Sequence, residues 1–226
     1  MMRKIANTAI LALLSLPIAS QARAQGAEAL IERAASAYSR LNSMRADFRQ
    51  TITNPLTGTN VSTSGQILRK KPGLLSISFD TGDRIVADGS MIWVYLPSSM
   101  PGQVMRMPSR GMNAGIIDPA SQFLDSPRTR YTVTSAGEAV LSGRPAHAVM
   151  LVPKRQMQAF TRAKVWIDDR DFSIRQFEVT DANGLKRLVV VTRLVANPTL
   201  SRSAFSFTPP RGARIVDQSS MGALAN

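Results

Sequence analysis

Two periodicities divide the chain. Residues 26–44, GAEALIERAASAYSRLNSM, place Leu30, Ala34, Tyr38 and Leu41 at helical spacing, with Ile31 and Ala35 beside them. Glu32, Arg33 and Arg40 fall on the other side. The spacing predicts an amphipathic helix whose apolar stripe covers a sheet. From residue 46 the period changes to two. RADFRQTITN sets Ala46, Phe48, Gln50 and Ile52 on one face, and Pro55 to Gly58 supplies a turn. TSGQILRK (63–70) and LLSISFD (74–80) follow as strands, the second with Leu75, Ile77 and Phe79 opposite Ser76 and Ser78. RIVAD (84–88) is the next strand, and Asp88-Gly89 turns it into MIWVYLP. There the alternation is apolar on both faces: Met91, Trp93 and Tyr95 on one, Ile92, Val94 and Leu96 on the other. A strand with one wet face alternates apolar with polar. Both faces of this one are expected to be covered, one by the protein and one by an apolar pocket.

Residues 97–128 break the rhythm with Pro97, Pro101, Pro108 and Pro119, several glycines, and Met100, Met105, Met107 and Met112. A strand fits 103–107, and a short helix fits around 119–124. The methionines suit either loose core packing or an adaptable ligand-facing cover formed by 100–112 and 116–124. Strand signals resume at 130–136, 145–153, 163–171, 172–180 and 185–195, and the chain closes on AFSFTPPRGARIVDQ (204–218). One helix, about eleven strands and one irregular segment predict a mainly β (α+β) fold. A sheet of this size curls. The expected architecture is an incomplete antiparallel β-barrel, a curved sheet with helices covering an apolar cavity.

The ends narrow the picture. Arg3 and Lys4 precede an apolar run from Ile5 to Ile18, and Ala22-Arg23-Ala24 forms an A-x-A pattern before Gln25. Residues 1–24 read as a secretory signal peptide cleaved after Ala24, because the run is short for a membrane span. Residues 25–226 then form one domain outside the cytoplasm. The chain has no cysteine, so disulfides, thiol nucleophiles, cysteine metal sites and an N-terminal lipidated cysteine are excluded. The formal charge is +13; Arg3, Lys4 and Arg23 lie in the leader, leaving +10. The basic residues are scattered, which suits solubility or attraction to acidic partners better than nucleic-acid binding.

The sequence offers little catalytic chemistry. The single histidine, His147, sits within an alternating apolar strand and reads as structural. No G-x-S-x-G elbow, Walker loop or dinucleotide fingerprint occurs. Asp168, Asp169 and Asp171 lie among arginines at a hairpin turn, without the ligand spacing of a calcium loop. No enzyme activity, metal or cofactor is expected.

Four elements in order resemble the LolA family of periplasmic lipoprotein carriers. They are Asp47-Phe48-Arg49-Gln50; Gly65-Gln66-Ile67-Leu68 running into Arg69-Lys70-Lys71-Pro72; Ile85-Val86-Ala87-Asp88-Gly89 leading to Trp93-Val94-Tyr95-Leu96-Pro97; and Phe205-Ser206-Phe207-Thr208-Pro209-Pro210-Arg211-Gly212. The resemblance implies a helix-capped, unclosed barrel that binds lipoprotein acyl chains. It further implies a Lol-type ABC transporter of the inner membrane as donor, an outer-membrane acceptor, a periplasmic location and a monomer. The candidate acyl-cavity residues it suggests are Phe48, Leu68, Leu75, Ile77, Trp93, Tyr95, Met105 and Phe123. Lys71 occupies the family's lid-controlling position, usually arginine; lysine supplies a point charge with three donors in place of a planar fork. Two other readings share this fold: a carrier of another lipid or glycolipid, and a lipoprotein-sensing regulator.

Overall fold

The computed structural model describes residues 18–109, 120–155 and 160–218, with side chains from residue 25 onward. Most of the expected leader and the methionine at 112 lie outside the described residues. Helix α1 spans Ile18–Ser39 and is followed by six strands: β1 (Ser43–Asn54), β2 (Thr59–Lys70), β3 (Leu74–Phe79), β4 (Arg84–Asp88), β5 (Met91–Tyr95) and β6 (Gln103–Pro108). Two short helices come next, α2 (Ser121–Leu124) and α3 (Pro127–Arg130). Then follow β7 (Tyr131–Leu141), β8 (Arg144–Pro153), β9 (Arg162–Asp168), β10 (Ile174–Thr180), β11 (Lys186–Ala196), a 3-10 turn (Arg202–Phe205) and β12 (Arg214–Asp217).

All twelve strands form one sheet in the order β12-β6-β5-β4-β3-β2-β1-β11-β10-β9-β8-β7. Neighbours are antiparallel except β12, which pairs parallel to β6. The sheet is curved and does not close: β12 and β7 are its free edges. This is the incomplete barrel expected from the strand pattern. Within the closing segment the chain leaves the 3-10 turn at Phe205, and Arg214–Asp217 joins the sheet.

Helix α1 also ends earlier than its stripe predicts, at Ser39 rather than residue 44. Asn197, in the left-handed region at φ 51°, turns its side-chain carbonyl toward the chain after the helix. That oxygen accepts from the Asn42 N–H (2.8 Å) and the Ser43 N–H (3.4 Å), so the backbone enters β1. The helix buries Ala27, Ile31 and Ala34, and it packs on β7, β9 and the two short helices. The expected cleavage point after Ala24 falls inside α1, leaving Gln25–Ser39 as its remainder.

Strand register decides which side chains face the helix. Phe48 on β1, Leu75 and Ile77 on β3, Ala87 on β4 and Ile92 on β5 join the core beneath α1. The Phe48 ring lies across Gly65 of β2 and meets Phe79 edge-on, with ring centroids 5.5 Å apart. A Cβ on Gly65 would stand 2.7 Å from that ring and would also strike the Ser78 carbonyl oxygen. Glycine is therefore needed for the close approach. Gly65→Ala is expected to destabilise the protein by about 1–3 kcal/mol, the usual cost of overpacking a filled site. Urea unfolding measures this; an unchanged midpoint would contradict the packing described.

Candidate functional site

The concave face and its helical cover leave two apolar hollows. The first has a volume of about 150 Å³. Its roof is Ala34, Ala37 and Tyr38 at the end of α1 with Leu41 just beyond it, and its floor includes Met44, Ala46, Ile174, Val191 and Leu194. The roof carries two alanines, so the helix covers space without filling it. Leu124 of α2 closes one side, and Asp171 and Ser173 stand at the rim. The second hollow, about 340 Å³, opens further along the sheet between Ile77, Phe79, Ile85, Phe160, Val179 and Leu185. Gln50, Gln122, Asp181 and Arg187 also line it. The two share Phe48, Ile67, Phe177 and Val189 as common walls. Phe177 packs on Phe123 of α2 with centroids 5.1 Å apart, and Phe123 on Phe160 at 5.8 Å.

The candidate residues divide by face. Phe48 lines both hollows and Ile77 lines the second. Leu75 is buried on the same concave face, and Phe123 is buried within the aromatic group of the cover; neither lines a hollow. Met105 stands opposite Val94 on β6 near the sheet edge, where its sulfur accepts from the Gln218 amide at 3.7 Å.

Leu68, Trp93 and Tyr95 are corrections. Leu68 follows Ile67, which faces the hollows, so its own side chain is on the convex face. Trp93 stands opposite Val86 and Tyr95 opposite Arg84, again on the convex face. The C-terminal segment covers both: Phe207 lies 5.9 Å from the Trp93 ring and 6.0 Å from Tyr95 by centroid. The doubly apolar strand thus has two covers, the concave core and the protein's own tail.

Lys71 is exposed at the β2–β3 turn, and its ammonium donates to the Ser39 carbonyl, the last residue of α1. This ties the C-terminal end of the roof helix to the sheet, where a cation also meets the negative end of the helix dipole. The cover expected from the methionine-rich segment is only partly visible. Gln103–Pro108 is strand β6, in line with the strand pattern at 103–107, and residues 110–119 lie outside the described residues.

The titratable groups that the sequence brings forward serve the framework. His147 is half exposed, with Nδ1 2.6 Å from Asp169 and Nε2 3.3 Å from Glu138. The Asp169 hydrogen bond raises its pKa above the ordinary 6.5, against the effect of desolvation. It bridges β7, β8 and the β9–β10 turn. Asp88 organises the Asp-Gly turn. Burial alone would raise its pKa, but bonds from the Met91 N–H (2.8 Å), the Trp93 indole N–H (2.9 Å) and Ser90 lower it to about 2. Asp168 is fully buried. It is bound by the guanidinium groups of Arg144 and Arg175 and by the Arg170 N–H, which outweigh desolvation and set its pKa at about 2. Asp171 completes the network, accepting from the same two arginines at 2.8 Å.

The family described as "Outer membrane lipoprotein carrier protein LolA" matches residues 39–208, which run from the end of α1 past the 3-10 turn. The chain belongs to the LolA family. Outer-membrane lipoprotein carrier proteins of Methylobacillus flagellatus and Pasteurella multocida are similar to it. The first is 24% identical, covering 87% of this chain and 91% of its own. The second is 26% identical, covering 92% and 94%. Among solved structures, an uncharacterized conserved protein from Thermus thermophilus shares the fold of this LolA-family chain. It has a TM-score of 0.57 at 14% identity, covering 86% of this chain and 100% of its own. The lipoprotein LppX of Mycobacterium tuberculosis has a TM-score of 0.50 at 16% identity, covering 78% and 98%.

The hollows contain residues that the strand pattern does not single out: Tyr38, Ile67, Phe177 and Val189. Helical spacing marks Tyr38. The others need strand register, because in Ile67-Leu68 and Val189-Val190-Val191 adjacent residues are equally apolar.

A carboxylate whose folded-state pKa is depressed stabilises the fold above its unfolded value and loses that contribution as pH falls. For Asp88 and Asp168 the window runs from about 4 down to about 2. Asp168→Asn is expected to lose about 2 kcal/mol or more near neutral pH and to show a flatter acid limb below pH 4. Unfolding measured from pH 7 to pH 2 tests this; identical acid limbs would contradict it.

Proposed function

We propose that this LolA-family chain is a periplasmic carrier that holds lipoprotein acyl chains between α1, α2 and the concave sheet. It would collect them from a Lol-type ABC transporter in the inner membrane and pass them to an outer-membrane acceptor. The observation that carries the reading is the pair of adjoining apolar hollows on the concave face, the first of them under a helix that covers it without filling it. Residues 1–24 act as the export signal in this reading, and 25–226 as the carrier domain. No helix among the described residues is long and apolar enough to cross a membrane, which suits a shuttle.

Energetics define how such a carrier works. Each methylene buried from water is worth about 0.8 kcal/mol. Chains with some tens of methylenes would cost on the order of tens of kcal/mol to release into water. Cargo must therefore pass directly between apolar sites, with affinities graded from donor to carrier to acceptor. No covalent bond changes, so the carrier needs no catalytic group, metal or cofactor, and extraction is driven by the ATP-using partner.

The larger hollow is at the lower end of the ~300–1,000 Å³ range of ligand pockets. Two or three long chains need more room. The roof must lift, and the Lys71–Ser39 tie lies where α1 would hinge. Phe48, Ile67, Ile77, Phe177 and Val189 are the proposed acyl contacts, and Lys71 the proposed lid control.

Incubating the protein with ATP-energised inner membranes carrying labelled lipoprotein tests the reading. A soluble one-to-one complex is expected; label retained entirely in the membrane would overturn it. Lys71→Ala is expected to speed amide hydrogen exchange in the last turns of α1 by about tenfold, since one charge-assisted bond to the helix end is lost. Unchanged exchange there would remove Lys71 from lid control.

A further inference from the structure

The second hollow is apolar in its depths and carries Arg187 and Asp181 at its mouth. β11 turns Val189 inward, and Arg187, two residues away on the same face, also lines the hollow. Arg187 stands opposite Ile52 of β1, and Val189 opposite Gln50. Gln50 and Arg187 are therefore diagonal neighbours on adjacent strands, within joint reach of one small group. Gln50 in turn faces Thr63 of β2.

Two side chains of this corner are available to a ligand. Among the described residues, Arg187 takes part in no ion pair or hydrogen bond, and the Gln50 side chain has no hydrogen-bond partner. The one acidic residue lining this mouth, Asp181, is already engaged: its Oδ1 accepts from the Asn183 N–H (2.8 Å) and the Leu185 N–H (2.9 Å) of its own turn.

We propose that the mouth of the second hollow is a head-group site for anionic single-chain amphiphiles, with Arg187 holding the oxyanion. Gln50 donates a further hydrogen bond, and the acyl chain runs inward past Val189 and Phe177. The site takes an oxyanion attached to an acyl chain, whether the carboxylate of a fatty acid or the phosphate of a lysophospholipid. This rests on the hollow being a lipid site, and adds a class of cargo other than the thioether-linked lipid of a lipoprotein. A planar, permanently charged guanidinium suits both oxyanions, since it can donate two parallel bonds.

Displacement of the neutral fluorophore N-phenyl-1-naphthylamine from the full-length mature protein tests the site. Three competitors carry the same chain: laurate, lauroyl lysophosphatidylglycerol and the neutral monoglyceride monolaurin. Each is used below its aggregation concentration. Anionic competitors are expected to bind about tenfold or more tightly than monolaurin, the factor of one charge-assisted hydrogen bond. Preference for only one of the two anions supports the site and identifies carboxylate or phosphate as its source. Arg187→Gln is expected to bring all three within about twofold, Arg187→Lys to keep part of the preference, and Arg49→Gln, on the convex face, to leave it unchanged. Monolaurin displacing the fluorophore as well as the anions do would overturn the head-group site while leaving the carrier reading intact. A preference that survives Arg187→Gln would overturn the assignment. No displacement by any of the three would contradict the carrier reading itself.

Discussion

A curved sheet with two free edges cannot seal its own concave face, and here the seal comes from one stripe of one helix. In a closed barrel every strand has two partners and the interior is shut by the sheet itself. With β7 and β12 unpaired on their outer sides, the concave face would be wet without α1. Ile31 and Ala34, both almost wholly buried, fasten the helix down, and Ala37 and Tyr38 carry it over the first hollow. A seal of this kind is reversible in a way that a closed barrel is not. It can be loosened at the end tied by Lys71 without breaking a strand ladder. In the proposed carrier role, the same contact would both support stability and open an entrance for cargo.

The two faces of the sheet are stabilised by different physics. The concave side depends on apolar area, in the core and along the hollow walls. The convex side is held by direct polar and aromatic ties. Phe207 lies against Trp93 and Tyr95, Arg202 donates to the Asp88 carbonyl at 3.0 Å, and Arg144 and Arg175 share Asp168 and Asp171. This division leaves the interior free of fixed charge except at its rim. In the proposed carrier role, acyl chains would repack inside without breaking polar bonds, while the outer ties hold the sheet.

Much of the fold was legible because period-two strands and Asp-Gly turns are local signals. The Asp88 turn and the stripe of α1 were readable from spacing alone. Which face of each strand turns inward was not. Ile67 and Leu68 are adjacent and alike in hydrophobicity, and a choice one residue out moves the candidate to the opposite surface. Strand β5 is apolar on both sides because the C-terminal segment, more than a hundred residues later, returns to cover Trp93. Such a long-range cover leaves no trace in the strand's own pattern. The end of α1 was misplaced for a similar reason, since the side chain that redirects the backbone belongs to Asn197. Arg187 passed unnoticed because a lone arginine at a strand start reads as a solvated charge until register places it beside Gln50.

The central claim is that acyl chains occupy the space between the helices and the concave face. Photocrosslinking with a lipoprotein bearing a diazirine near the end of an acyl chain, followed by peptide mapping, tests it most directly. The account predicts adducts on concave and roof residues such as Tyr38, Phe48, Ile67, Phe177 and Val189. Adducts confined to convex-face residues such as Leu68, Trp93 and Tyr95 would contradict it.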